Sequence, residues 1–306
     1  MVGRLKYFIA AISSVSIWGF FAIPLRSLSD YQPEQILHFR ILFSLIFTWL
    51  FILIFRKKKL RGDIQYVKSL SSSKRSKLIR LTLLASLFIT GNWYSFIYAM
   101  NNVSLKSAAF AYMVCPLITA FAGFIFLKEE TSSYKTIGII LAIISIVLLA
   151  SGSLTDVLWS VFIASLYAFY LLIQRVIGDI DKLSMLGVQL ILSFILILPF
   201  FFLGNQSIPQ EPFFWLNIVL ISIVFTIVPL FLSLYALIGM ASSTLGIIIY
   251  VNPIIAFSVA FLYFQEDVTL LQLGAYSLLF FAVIVFNWSA FSQLLNHNIQ
   301  LKKSTK

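Results

Sequence analysis

The sequence predicts an all-α polytopic membrane protein with ten transmembrane helices, and three observations carry that prediction. Hydrophobic residues make up 60% of the chain, with 31 Phe and a mean hydropathy of +0.99, far outside soluble composition. Apolar runs of about 20 residues follow one another, each long enough to cross a hydrocarbon core about 30 Å thick. The few cations gather in particular connections, and the period-two alternation of a membrane β-barrel is not seen.

The first span, near 6–26, follows Arg4 and Lys6 as a signal peptide's apolar region would. It is too long for such a region and shows no clear small-residue cleavage site before Pro24, so it is a retained span. Gln32-Pro33-Glu34 opens the second, near 34–55, with proline at the first helical position and an acid in the first turn. A loop over 56–80 follows, carrying Arg56, Lys57, Lys58, Lys59, Arg61, Lys68, Lys74, Arg75, Lys77 and Arg80 against the single Asp63. The remaining spans lie near 79–100, 107–127, 134–151, 155–174, 183–203, 213–236, 243–264 and 270–291. Most connections are short, which makes consecutive helices antiparallel neighbours. Cys115, inside an apolar run, offers neither a disulfide nor a thiolate metal site.

With the N-terminus in the cytoplasm, only Arg26 and Lys106 fall on external segments and Arg40 falls within a span; every other Lys or Arg is cytoplasmic. Asymmetry of that size orients the chain by the positive-inside rule, with both termini cytoplasmic. The net charge of +11 is then a topology signal with attraction to anionic lipid at the cytoplasmic face. No aromatic-interleaved or folded module accompanies the basic loop, so nucleic acid is not an expected partner.

An internal repeat is visible when 98-YAMNNVSLKSAAFAYMVCPLITAFAGFIFLKEE-130 is set above 235-YALIGMASSTLGIIIYVNPIIAFSVAFLYFQED-267. Tyr98, Pro116 and Glu129 meet Tyr235, Pro253 and Glu266 without a gap. Five spans separate the copies, so the second crosses the membrane in the opposite direction. Inverted repeats of this kind belong to transporter folds, with the site at the repeat interface near the midplane.

The stretches 34-EQILHFR-40, 91-GNWYSFIYAMNN-102 and 245-LGIIIYVNP-253 resemble the RarD-like branch of the EamA permeases, in the drug/metabolite transporter superfamily. The resemblance runs from Trp18-Gly19 to Trp288. It implies two inverted five-helix repeats, 1–152 and 153–292, with 293–306 as a basic cytoplasmic tail. It further implies alternating access through a central cavity lined by helices one, three, four and six, with eight and nine. The branch's usual pattern has His directly before Arg, whereas here Phe39 stands between His38 and Arg40. A bacterial plasma-membrane location follows from the same resemblance.

Arg40, Ser44 and Thr48 stand at i, i+4 and i+8 on an otherwise apolar helix, and such a polar stripe should face protein or water. Arg40 is expected on the outer half of the substrate pathway, with snorkelling to the headgroups as the alternative. His38 lies about 200° round the helix, near Glu34, and is expected either in an interfacial pair with it or carrying a proton. Pro116 and Pro253 each free the carbonyl four residues earlier and are expected to kink helices toward the interior. Asn92, Trp93, Tyr94 and Tyr98 in span three, Tyr167, Tyr170 and Gln174 in span six, and Tyr235 and Tyr250 are the polar-aromatic pathway candidates; Ser160 shares a seven-residue spacing with Tyr167 and Gln174. The acid pairs Glu129-Glu130 and Glu266-Asp267 precede helices, and 269-TLLQ-272 has capping-box spacing, so these read as helix starts.

These observations favour a secondary carrier of a small organic metabolite or drug-like solute, without cofactor or metal. The chain has no phosphate-binding GxxxxGK[S/T] loop. The alternative is a lipid-handling membrane protein, a flippase or a lipid-modifying enzyme. The enzyme version needs a nucleophile, metal cluster or acid–base pair, and neither His38 nor His297 has that setting. The sequence is compatible with a monomer or a homodimer.

Overall fold

The computed structural model describes residues 2–127, 132–177, 180–203, 208–239, 248, 251–286 and 288. The first half holds helices α1 (Val2–Gly19), α2 (Ala22–Arg26), α3 (Pro33–Phe55), α4 (Lys57–Ser69), α5 (Ser72–Asn102), α6 (Leu105–Leu127) and α7 (Ser133–Gly152). The second half holds α8 (Leu154–Ile177), α9 (Lys182–Leu203), α10 (Pro212–Ser222), α11 (Val228–Gly239), α12 (Val251–Ser258) and α13 (Leu270–Phe286). Two π segments, Ile223–Ile227 and Val259–Tyr263, interrupt this pattern. By length and composition, six described segments can cross a membrane: 5–26, 33–55, 72–102, 154–174, 182–202 and 212–233. Ser133–Leu149, Ile254–Tyr263 and Leu270–Phe286 are apolar but shorter.

Three expected features differ. The basic segment expected as a loop is largely helical: α4 occupies most of it, and α5 begins at Ser72 rather than near 79. At 1.5 Å per residue the 31 residues of α5 reach about 46 Å, well beyond the hydrocarbon core, so its cationic first turns stand outside the membrane. The first span breaks at Phe20 and Phe21 into α1 and α2. The third difference is the π turn in span eight. Its cause is local: Pro229 lacks an N–H and cannot bond the Phe225 carbonyl, which instead accepts from Trp18 Nε1 at 3.0 Å.

Several helix pairings recur when each half is exchanged for the other. Helix α8 packs on α5 and α6, and α1 packs correspondingly on α11 and α12. Helix α9 packs on α5 as α3 packs on α10, while α3 with α9 and α7 with α13 pair as mates. A Cβ on Gly138 would lie 2.7 Å from Phe286 Cβ and 2.9 Å from the Ala282 oxygen. One turn pair further on, Ser145 Oγ donates to the Ala275 oxygen at 2.7 Å. One number rises as the other falls, so α7 and α13 run antiparallel. Close approach there depends on a missing side chain, as membrane helix packing commonly does.

Polar contacts tie the bundle at both ends. At one end Arg26 pairs with Glu266 at 2.8 Å and Tyr31 donates to Glu211 at 3.1 Å. At the other, Arg56 pairs with Asp181 at 2.9 Å, and Asp63 accepts from the Asp181 amide at 3.3 Å. The 269–272 segment forms the expected capping box, with Thr269 N donating to Gln272 Oε1 at 3.0 Å and Gln272 N to Thr269 Oγ1 at 3.2 Å.

Candidate functional site

Arg40 is 6% exposed although it carries a full charge. Burying a charge in a span costs about 2.5–3.5 kcal/mol on insertion scales, so its surroundings must offset much of that. Its guanidinium carbon lies 4.8 Å from the Phe21 ring and 5.2 Å from the Trp93 ring. Each such desolvated cation–π contact contributes about 1–2 kcal/mol. Arg40 Nη2 also donates to Thr226 Oγ1, at 3.5 Å, and the Arg40 carbonyl accepts from Ser222 Oγ at 3.2 Å. The first span, α3, α5 and the π segment of span eight therefore converge on one guanidinium. Thr226 itself donates to the Ile221 carbonyl at 3.0 Å, five residues back, so the π turn sets where its hydroxyl sits.

One and two turns further along α3, Ser44 and Thr48 are each 1% exposed, and neither hydroxyl has a hydrogen-bond partner among the described residues. A buried hydroxyl without a partner is costly. The polar stripe thus continues from Arg40 along α3 as two buried hydroxyls.

His38 faces elsewhere. Its ring stacks on Phe201 (centroids 4.2 Å, 16°) and lies 5.2 Å from Phe194, both on α9. The expected pairing with Glu34 is replaced, because Glu34 Oε1 accepts from Tyr94 Oη at 2.7 Å. The geometry explains this, since His38 points to α9 while Glu34 points to α5.

The other candidates are dispersed. Asn92, 2% exposed, donates to the Ile163 carbonyl at 2.9 Å and clamps α5 to α8. Tyr98 stacks on Trp159 at 5.1 Å and lies 6.1 Å from Tyr94. Ser160 donates to the Ser107 and Asp156 carbonyls, so its face of α8 meets α6. Tyr167 stacks on Tyr170 at 5.9 Å, while Tyr170 and Gln174 donate to Gln189 Oε1 at 3.3 and 3.0 Å. Tyr235 lies 5.1 Å from Tyr7. Pro116 lies within α6 and Pro253 within α12; Tyr250, Glu129 and Glu130 fall outside the described residues.

The sequence reading missed Phe21, Thr226, Ser222 and Gln189. For Thr226 a signal existed in Pro229, a proline three residues on inside an apolar run. Phe21 is one of 31 Phe, and nothing local distinguishes it. Among the described residues no three His, Cys, Asp or Glu come together to hold a metal ion.

A crystal structure covering 92% of this chain and 96% of its own superposes with a TM-score of 0.62 at 14% identity, which establishes a shared fold. The chain is 26% identical over 282 residues to Protein RarD of Escherichia coli, covering 90% of this chain and 92% of that one. It is 25% identical over 285 residues to the uncharacterized transporter YojE of Bacillus subtilis, covering 90% and 91%. Two successive stretches, residues 5–151 and 154–288, each match the EamA-like transporter family. A multi-pass helical protein built from two such units, with RarD proteins among its distant relatives, is a transporter rather than an enzyme, and the chain belongs to the EamA-like transporter family.

Proposed function

We propose that this protein is a secondary carrier that moves a small organic solute by alternating access between its two five-helix halves. The observation that carries the reading is Arg40, buried against the Phe21 and Trp93 rings and followed inward by the hydroxyls of Ser44 and Thr48, which are unpartnered among the described residues. A guanidinium packed on rings keeps a planar fork of N–H donors, the shape that matches a carboxylate, sulfonate or phosphate group. The solute therefore carries an anionic group, and Arg40 binds it. Ten spans, with the second five inverted, complete the reading, and the antiparallel run of α7 and α13 supports the inversion.

The same reading places the chain in a bacterial plasma membrane with both termini cytoplasmic. Helix α4, which has no buried residue, rests on anionic headgroups, and its cations supply the attraction. The test is flux of radiolabelled organic acids into proteoliposomes, set beside neutral and cationic analogues of the same size. Saturable uptake of an anionic solute that disappears in Arg40→Ala supports the assignment. Saturable transport restricted to cations would reject it.

A further inference from the structure

The repeat extends beyond the spans in which it is first seen. Displacing residues 14–48 by 149 positions lays them on 163–197 without a gap, and Phe20, Arg26 and Ser44 meet Phe169, Arg175 and Ser193. The structure keeps this register. Helix α3 starts at Pro33 and α9 at Lys182, which are the same position in the two copies. The displacement carries Arg40 onto Gln189 and Phe21 onto Tyr170. The contact between the first pair has its counterpart in the second. The Arg40 guanidinium lies over Phe21, and Gln189 Oε1 accepts from Tyr170 Oη at 3.3 Å.

Gln189 is 1% exposed, and its Nε2 is buried without a partner among the described residues. Tyr170 and Gln174 converge on the other end of the amide. Turning the amide round would only exchange which polar atom lacks a partner. One turn on, Ser193 Oγ accepts from Thr90 of α5 at 2.7 Å. Helix α5 thus serves both places, with Trp93 over Arg40 and Thr90 on Ser193.

We infer that Gln189 forms the second binding position of the solute path, the repeat-mate of the Arg40 position approached from the opposite membrane face, and that it binds a neutral carbonyl or hydroxyl on the solute. Helix α9 begins beside the end of α3, where Asp181 pairs with Arg56. The two helices therefore enter from opposite faces. Arg40 and Gln189 each lie seven residues in from their helix starts, about 10 Å. In a core about 30 Å thick that leaves about 10 Å of depth between them. The solute class is an organic anion with an uncharged hydrogen-bonding group at its far end. The replacement of Arg by Gln between the copies makes the two positions chemically unequal, which orients such a molecule. This ligand class rests on the reading of Arg40, whereas the place of Gln189 on the path does not.

The test has two arms. In a Cys115→Ser background, Gln189→Cys and, one turn on, Ser193→Cys are treated with an impermeant methanethiosulfonate in right-side-out and inside-out vesicles, beside Arg40→Cys. The expected result is modification at 189 and 193 from the cytoplasmic side at rates at least tenfold above those from outside, with Arg40→Cys reversed. Absence of modification at both 189 and 193 from either side removes Gln189 from the path, whatever Arg40→Cys does. The second arm measures binding of benzoate and 4-acetylbenzoate by ligand-dependent thermal stabilisation. In the parent protein 4-acetylbenzoate should bind about tenfold tighter; Gln189→Leu should bring the two within twofold, and Arg40→Gln should weaken both together. An unchanged preference in Gln189→Leu overturns the ligand assignment. Failure of the parent to bind either acid overturns the anionic solute class and its carbonyl partner, while the labelling arm still decides the path.

Discussion

Arg40 is stabilised less by any single bond than by two ring faces and a hydroxyl that three other segments supply. A lysine ammonium is a compact, strongly hydrated charge without a planar fork, so it would neither stack between the rings nor bind an oxyanion through two donors. Arg40→Lys and Arg40→Ala should each reduce solute flux at least tenfold while membrane expression stays at the parent level. Parent-like flux in Arg40→Ala would mean that the solute passes without meeting this residue. His38 stacks on Phe201 away from Arg40, and His38→Gln should cost flux less than threefold. Gly19 gives a sharper steric case, because a Cβ there would lie 2.6 Å from Ile255 Cβ. Ile255 is stiff at that carbon, so Gly19→Ala should force α1 away from α12. A drop of several degrees in the melting temperature in detergent is the expected reading.

At the scale of elements, the interruptions of helices carry more of the design than the helices do. The π segment Ile223–Ile227 places Thr226 on Arg40, and it exists because Pro229 cannot close the normal bond to Phe225. Pro229→Ala restores that N–H and removes the need for the π turn. It should therefore lower flux at least fivefold with little loss of melting temperature, and a parent-like rate would show that Thr226 need not be held there. Pro116 and Pro253, at repeat-related positions within α6 and α12, invite the comparison. If they are hinges, replacing either by Ala slows solute exchange more than it alters unfolding. If both variants exchange at the parent rate, the prolines only set packing.

At the scale of the whole molecule, repeat mates pack directly on each other, α3 on α9 and α7 on α13. Under the proposed alternating access, the two halves exchange roles at the two faces by rocking around a fixed site. The expected orientation rests on charge, since α4 and the start of α5 gather cations along one stretch of the chain. Single cysteines in Cys115→Ser should react with impermeant maleimide from inside at Ser72 and from outside at Gln210. External reaction at Ser72 would reverse the assigned topology.

The sequence by itself determined the class, the family and most helix positions, because crossing a bilayer demands long apolar runs and orientation demands an asymmetric distribution of cations. Both demands act locally along the chain and can be read there. It also singled out Arg40 with Ser44 and Thr48, because a polar stripe on an apolar helix is conspicuous. What surrounds that stripe was decided only by tertiary structure. Phe21 among many Phe, Thr226 on a π turn and Trp93 rather than its neighbours become a site only when three other segments meet α3. The same holds for the partners of other candidates. Asn92 is taken up by the Ile163 carbonyl and Glu34 by Tyr94. A buried polar group goes to whichever partner packing brings within about 3 Å, and that distance belongs to the arrangement of helices rather than to any one of them.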